Sequence, residues 1–152
     1  MFTKKSLIIF LLIFLSNCGF SPMFKNINNL QYNIIVESLN GDRDINNLIR
    51  SNLNRYTSTE NKDELKIQVK TEYEKNIIAK DSTGKTTNYQ IKISTIFKLD
   101  YRENQKIITI EETFDYKSID DKLTELDYER SIKNNLTNII ISKLITQISR
   151  LK

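Results

Sequence analysis

The chain has 152 residues, 28% of them charged, with a formal net charge of +4, no histidine and a single cysteine. This composition excludes Ser/His and Cys/His catalysis and removes the commonest metal ligand. The net positive charge is weak, and the Lys and Arg residues form no dense stripe that could follow a phosphate backbone. Nucleic acid is therefore not an expected partner.

Residues 1–17 predict a lipoprotein signal peptide. A positive start, with Lys4 and Lys5, precedes an unbroken apolar run over 7–15. That run is shorter than the roughly 20 apolar residues of a membrane-spanning helix, and it has the length of a signal-peptide core. Cleavage before Cys18 removes 17 of the 152 residues and leaves 135, which suits one domain with a genuine core. The mature chain would carry 21 basic and 19 acidic residues, a net charge of +2.

We expect Cys18 to carry an N-acyl and an S-diacylglycerol group, with no other cofactor. Several acyl chains hold a protein stably at a membrane where one does not. Gly19 occupies the position where aspartate would retain a lipoprotein at the inner membrane, which favours the outer membrane, facing the periplasm. The alternative is an uncleaved anchor in the cytoplasmic membrane, with an incidental cysteine.

Residues 18–31 are predicted to be a lipidated tether. Phe20, Pro22, Met23 and Phe24 lie outside any periodic pattern. Exposed apolar residues beside an anchor dock against the membrane, against a partner or against the protein's own domain. The sequence leaves these possibilities open.

Residues 32–152 predict a single α+β domain that begins with a strand and a helix. The strand covers 32–36, and a turn over 40–42 ends at Asp42, a suitable helix N-cap. Apolar residues then recur at helical spacing. They are Ile45, Leu48, Ile49, Leu53 and Tyr56.

Three alternating segments, at 65–73, 89–101 and 108–116, predict strands with one buried face. Their short connections favour antiparallel neighbours. A last helix is predicted over about 121–151, with Ser118 opening a capping box whose acid is Asp121. Its apolar stripe comprises Leu123, Leu126, Leu136, Ile140, Leu144, Ile148 and Leu151.

The order of elements is therefore β-α-β-β-β-α. We predict a two-layer sandwich with a four-stranded, mostly antiparallel sheet and both helices on one face.

The segment 79–86 resembles a phosphate-binding loop of the form G-x-x-x-x-G-K-[ST], with Ala79 at the first glycine. Such a loop needs a helix after it, whereas a strand pattern follows here, so we predict a hairpin loop and no nucleotide. Lys75, Lys80 and Lys85 concentrate positive charge at one end of that hairpin and could meet an anionic partner. The alternative is a solvated loop.

Carboxylates are the remaining candidates for catalysis. A glycosidase needs two of them facing one cleft, whereas adjacent strand residues point to opposite faces. We therefore predict solvated or capping roles, and no enzymatic activity. The carboxylates concerned are Glu111, Glu112, Asp115, Asp120 and Asp121.

The motif from Cys18 to Phe24, the order of elements and the C-terminal pattern over 144–151 together resemble the lipopolysaccharide-assembly lipoprotein family LptE. This resemblance covers nearly the whole mature chain. It implies a non-enzymatic protein that plugs the outer-membrane barrel LptD, helps it assemble and binds lipopolysaccharide in transit.

Under that resemblance, Lys75, Lys80 and Lys85 are candidate contacts for lipid A phosphates, and Phe20, Pro22, Met23 and Phe24 are candidate docking residues. A second hypothesis is an outer-membrane accessory of a cell-wall synthase or of a lipid-transport ABC system. A third is a carboxylate-based hydrolase.

Overall fold

Alternating apolar residues and two amphipathic helices build the domain in the predicted order. A computed structural model describes residues 32–57 and 63–151, so Cys18, the signal peptide and the tether lie outside the described residues. The elements are β1 (Tyr32–Gly41), α1 (Arg43–Leu53) with a 3₁₀ turn (Asn54–Tyr56), β2 (Asp63–Lys80), β3 (Thr86–Tyr101), β4 (Asn104–Lys117) and α2 (Lys122–Ile148).

The sheet has four strands in the order β1-β2-β3-β4. Two hairpins join β2 to β3 and β3 to β4, and both pairs are antiparallel. The β1 strand runs parallel to β2 because α1 carries the chain back between them. The predicted α+β class and mostly antiparallel sheet are confirmed.

One face of the sheet packs under both helices. Across β2 and β3, Ile67 pairs with Leu99 and Val69 pairs with Phe97, and all four side chains are buried. Both helices contribute to the same buried cluster, which confirms the two-layer arrangement. Their residues in it include Ile45, Ile49 and Leu53 of α1 and Leu136, Ile140, Leu144 and Ile148 of α2.

The start of α2 differs from the prediction in two respects. Asp121 is itself the N-cap and accepts a hydrogen bond from the Thr124 amide at 2.8 Å, so the capping box that opens at Ser118 was wrong. The amide of Ser118 instead donates to the Thr87 carbonyl and continues the sheet. Leu123 and Leu126, which were expected in the buried stripe, are 73% and 55% exposed.

Gly41 ends β1 and positions α1. Its φ is +107°, and a Cβ there would lie 1.8 Å from the carbonyl oxygen of Thr71 on β2. Asp42 follows as the N-cap of α1, as predicted, and accepts from the amides of Asp44 and Ile45. Thr71 is the last residue of β2 that pairs with β1. The β2–β3 hairpin therefore continues past β1 and α1.

Among the helices of the described residues, none combines the length and apolar character that crossing a membrane requires.

Candidate functional site

The tip of the β2–β3 hairpin is a closed turn organised by Asp81. The Asp81 carboxylate accepts hydrogen bonds from the Thr83 amide and hydroxyl and from the Lys85 amide. These bonds lower the pKa of Asp81, and the bond from the Thr83 hydroxyl has the largest effect. Because β3 begins at Thr86, no helix follows the turn, and the arrangement is a hairpin rather than a phosphate-binding loop.

Lys80 and Lys85 lie together at this tip. The Lys85 ammonium is 2.8 Å from Asp120, at the end of the neighbouring loop, and this contact raises the pKa of Lys85 and lowers that of Asp120. Lys80 is exposed and has no ion-pair partner within residues 32–57 and 63–151. Asp81 and Asp120 therefore offset much of the positive charge that the sequence places at the tip.

Lys75 lies away from the tip, on the helix-facing side of the sheet. Lys75 pairs with Ile91 of β3. It precedes Lys80 by five residues, which is about 17 Å along the strand. Its ammonium contacts the Glu129 carboxylate of α2 and lies 4.0 Å from the centroid of the Tyr89 ring. The structure brings two of the three predicted lysines together and places the third against α2, with its side chain 27% exposed.

Lys75 belongs to a group that we call the α2 cluster, which also contains Tyr89, Tyr116, Glu125 and Glu129. The Tyr116 hydroxyl donates to Glu129 Oε1 at 2.8 Å, and its ring stacks on Tyr89 with centroids 5.5 Å apart. Glu125 is 7% exposed and lies 3.9 Å from the Lys75 ammonium. The cluster holds the first turns of α2 on the hairpin with charge and aromatic contacts instead of apolar packing.

Burial and hydrogen bonding shift two pKa values in the α2 cluster. Burial alone lowers the pKa of Lys75, but the hydrogen bond and charge of Glu129, together with Glu125, outweigh it and raise the pKa above its ordinary value. Burial and the hydrogen bond to Glu129 raise the pKa of Tyr116 well above that of a free tyrosine. The folded protein therefore holds an ammonium and a neutral phenol here.

A second cation–aromatic contact lies beside the α2 cluster. The Lys133 ammonium of α2 is 4.0 Å from the Tyr73 ring centroid and 3.3 Å from an Asp42 carboxylate oxygen. Asp42 therefore caps α1 and at the same time pairs with α2.

The glutamates of the α2 cluster were missed by the sequence analysis. Glu125 and Glu129 extend the buried stripe of α2 backwards at the same spacing of three and four, because Ile132 and Leu136 continue it. The spacing of three and four residues, followed without requiring apolar side chains, would have indicated both glutamates.

The side of the sheet away from the helices, which we call the open face, is mainly polar. Ion pairs of opposite sign lie across it, including Lys92–Glu111 at 3.4 Å and Lys66–Glu37 at 3.7 Å. The polar side chains of this face include Gln68, Lys70, Glu72, Gln90, Ser94, Lys98, Thr109, Thr113, Asp115 and Lys117.

The carboxylates considered as catalytic candidates, for which solvated or capping roles were predicted, do not converge. Glu111 lies on the open face, whereas Glu112 pairs with Lys143 of α2 on the other side of the sheet. Asp115 accepts a hydrogen bond from Gln90 at 2.9 Å. Within the described part of the chain, no group of three or more Asp, Glu, His or Cys residues is arranged to hold a metal ion.

Phe20, Pro22, Met23 and Phe24, the candidate docking residues, and Cys18, the candidate lipidation site, lie outside the described residues.

Comparisons with known proteins give the fold. No protein-family model matches the chain, and no curated protein matches it in sequence. The solved structure of rare lipoprotein B from Shewanella oneidensis matches 76% of this chain and 96% of its own, with 15% identity and a TM-score of 0.53. A structure from Caulobacter crescentus, described as a lipoprotein, matches 75% of this chain and 87% of its own, with 10% identity and a TM-score of 0.54. The described domain shares the fold of these bacterial lipoproteins.

Proposed function

We propose that this chain is an outer-membrane lipoprotein that assembles with an LptD-like β-barrel, occupies its lumen and aids lipopolysaccharide transport to the outer leaflet. It acts without catalysis, and its lipid groups are attached covalently at Cys18. Two solved structures that share the fold are described as lipoproteins, and the sequence before Cys18 has the pattern of an export signal.

The observation that carries the proposal is the polar open face of the sheet. A face with interspersed charges of both signs, such as Lys92–Glu111, is unsuited to a lipid environment. It suits the polar, water-filled interior of a wide outer-membrane barrel. The mixed signs let the face meet a lumen wall of either charge without large repulsion.

Contact with lipopolysaccharide is assigned to the hairpin tip. Lys80 offers an unpaired ammonium within the described part of the chain, and Lys85 shares its charge with Asp120. Lys75 supports this site indirectly, because its ammonium fixes the hairpin against Glu129.

The partner test is affinity purification of tagged, full-length protein from outer membranes, followed by mass spectrometry. We expect a large β-barrel protein at a ratio near one to one. A Cys18→Ala variant should lose membrane attachment. Recovery of a cell-wall synthase or an ABC transporter without a barrel would refute the proposal and support the accessory role instead.

The lipopolysaccharide test compares two charge reversals in the full-length protein. Lys80→Glu should weaken capture by immobilised lipopolysaccharide several-fold, because it places a carboxylate where phosphates would bind. Lys98→Glu, on the exposed open face away from the tip, changes the net charge equally and is the matched control. Equal loss of capture in both variants would show that net charge, and not a site at the tip, determines the binding.

A further inference from the structure

The first turns of α2, residues 122–131, have their polarity reversed relative to the rest of the helix, and we call this segment the strap. Glu125 is its one buried side chain, and Glu129 contacts the sheet, whereas Leu123 and Leu126 are exposed on the outside. Beyond the strap the ordinary pattern returns, and the buried residues are mostly apolar. They are Ile132, Leu136, Thr137, Ile140, Ile141, Leu144 and Ile148.

The α2 cluster holds the strap on the β2–β3 hairpin. Glu129 pairs with Lys75 and accepts a hydrogen bond from the Tyr116 hydroxyl. Because both leucines of the strap already face water, lifting it would give up little apolar burial on the helix side. On the sheet side it would uncover the buried ring of Tyr116. The strap is therefore held mainly by charge and aromatic contacts.

The closed strap carries an unfavourable charge arrangement. Glu125 and Glu129 both lie beside the single ammonium of Lys75. One carboxylate oxygen of Glu125, Oε1, is buried and has no hydrogen-bond partner among the residues that the structure describes. A buried charged oxygen without a partner destabilises the state that buries it, and lifting the strap would hydrate this oxygen. The closed and open states of the strap therefore differ less in free energy than those of the later turns.

Buried threonines interrupt the apolar core between the base of the domain and the strap. Thr71 of β2 pairs with Thr95 of β3, and both are buried. The Thr95 hydroxyl has no hydrogen-bond partner within residues 32–57 and 63–151. In α2 itself, the buried Thr137 hydroxyl donates to the Lys133 carbonyl at 2.7 Å, a bond that slightly destabilises and often bends a helix. The helix is therefore weakened between the strap and the turns that fill the core.

We propose that the strap opens from the hairpin as a unit while α2 from Leu136 onwards stays packed on the sheet. Segments with few buried apolar contacts open at lower free energy than the core of the same domain. Opening uncovers the stacked rings of Tyr89 and Tyr116, so the helix-facing surface of the hairpin has two states. The inference rests on the α2 cluster and requires neither a barrel partner nor lipopolysaccharide.

The test is amide hydrogen exchange of full-length, ¹⁵N-labelled protein in detergent micelles, followed by NMR. Amides 126–131 report on the strap, and amides 140–147 report on the packed part of α2. After correction for intrinsic rates, we expect the strap amides to exchange at least about a hundredfold faster. Their exchange should depend little on low concentrations of urea, whereas that of 140–147 should rise steeply, because the strap exposes less surface. Equal rates with equal urea dependence would overturn the proposal.

Ile140→Val separates strap opening from unfolding of the whole domain. The substitution weakens packing that strap opening leaves intact, so it should accelerate exchange at 140–147 by about two- to tenfold and leave 126–131 unchanged. Lys75→Met is the contrasting variant. It removes a contact that both local opening and complete unfolding break, so it should accelerate both groups of amides by similar factors. Acceleration of both groups by Ile140→Val would overturn the proposal.

A triple variant tests the role of the charges with the opposite sign. Lys75→Met, Glu125→Leu and Glu129→Leu together replace the charges of the cluster by apolar groups. Such replacements of buried ion pairs are often stabilising, so we expect the exchange of amides 126–131 to slow by about tenfold or more. Exchange as fast as in the native chain would overturn the proposal.

The matched control for the triple variant is Glu112→Leu with Lys143→Met. This pair also joins the sheet to α2 but lies outside the strap, so its removal should leave exchange at 126–131 unchanged. Because the barrel is detected separately by co-purification, failure of the strap proposal leaves the proposed function standing, and the reverse also holds.

Discussion

The ammonium of Lys75 lies 4.0 Å from the centroid of the Tyr89 ring while it contacts the Glu129 carboxylate. The first contact lies within the sheet and the second joins the sheet to α2. Lys75 therefore couples the projecting β2–β3 hairpin to the helix that covers it.

Replacing Lys75 by methionine should lower the free energy of unfolding by about 1–3 kcal/mol. Methionine keeps much of the apolar stem but leaves Glu125 and Glu129 without their cation, and stranding a buried charge is strongly destabilising. The value is reduced from the fully buried case because the Lys75 side chain is 27% exposed. Urea denaturation measures it. Lys70→Met, on the same strand with a side chain 61% exposed, is the control and should cost less than about 0.5 kcal/mol. Equal losses would contradict a special role for Lys75.

The α2 cluster should make the protein sensitive to alkali. The folded pKa values of Lys75 and Tyr116 lie above their ordinary values of 10.5 and 10.0, so the folded state binds more protons than the unfolded state at high pH. This contribution is complete below pH 10 and declines as the pH rises further. Tyr116→Phe should therefore flatten the loss of stability above about pH 10 relative to the native chain.

The control for that titration is Tyr128→Phe, which removes the hydroxyl of a 40% exposed ring in edge contact with Tyr116. Its stability curve should follow that of the native protein through the alkaline range. Parallel curves for the native chain and Tyr116→Phe would mean that the hydrogen bond to Glu129 does not control the titration.

Gly41→Ala should destabilise the fold by about 2–4 kcal/mol, because the new Cβ would both strain a positive φ and collide with the Thr71 carbonyl. Gly84→Ala isolates the first effect. Gly84 has a φ of +84° but nothing within 4 Å of its Cβ position, so we expect a loss of about 1 kcal/mol. Thermal unfolding of both variants gives the comparison, and similar melting temperatures would rule out the collision.

Substitutions of Asp42 should separate its two roles. Asn keeps the N-cap but removes the charge facing Lys133, and Ala removes both. We expect Asp42→Ala to cost about 1 kcal/mol more than Asp42→Asn in chemical denaturation. Asp121→Ala, which removes the cap of α2, provides the reference for a cap without a paired lysine. If Asn and Ala proved equivalent, the cap of α1 would contribute nothing measurable.

The fold was predictable because its signals are local. Alternation along β2 to β4 sets the buried face, and the stripe from Leu136 to Ile148 places α2 on it. The first turns of α2 were not predictable in the same way, since leucines are normally preferred to glutamates for burial. Glu129 is half-buried against the sheet because Lys75, 54 positions away, supplies its counter-charge. No local pattern records such a pairing.

The candidate site, like the fold, was predictable where the signal is local and was not predictable where it depends on tertiary contacts. The hairpin loop placed Lys80 and Lys85 together, as expected from a turn between two strands. The offset of their charge by Asp120 depends on the end of β4 lying beside the start of β3, where Lys117 pairs with Asn88, which is a tertiary relationship.

The length of β2 gives the domain a scale that can be compared with a bilayer. From Asp63, beside the start of β1, to Lys80 at the tip, its 18 residues span roughly 55 Å. A membrane measures about 40–45 Å including its headgroups. Tyr32, the first described residue, pairs with Asp63 at the end of β2 opposite the tip. In the proposed barrel assembly, an upright domain with Tyr32 at the inner headgroups would therefore reach past the outer headgroups with its hairpin tip.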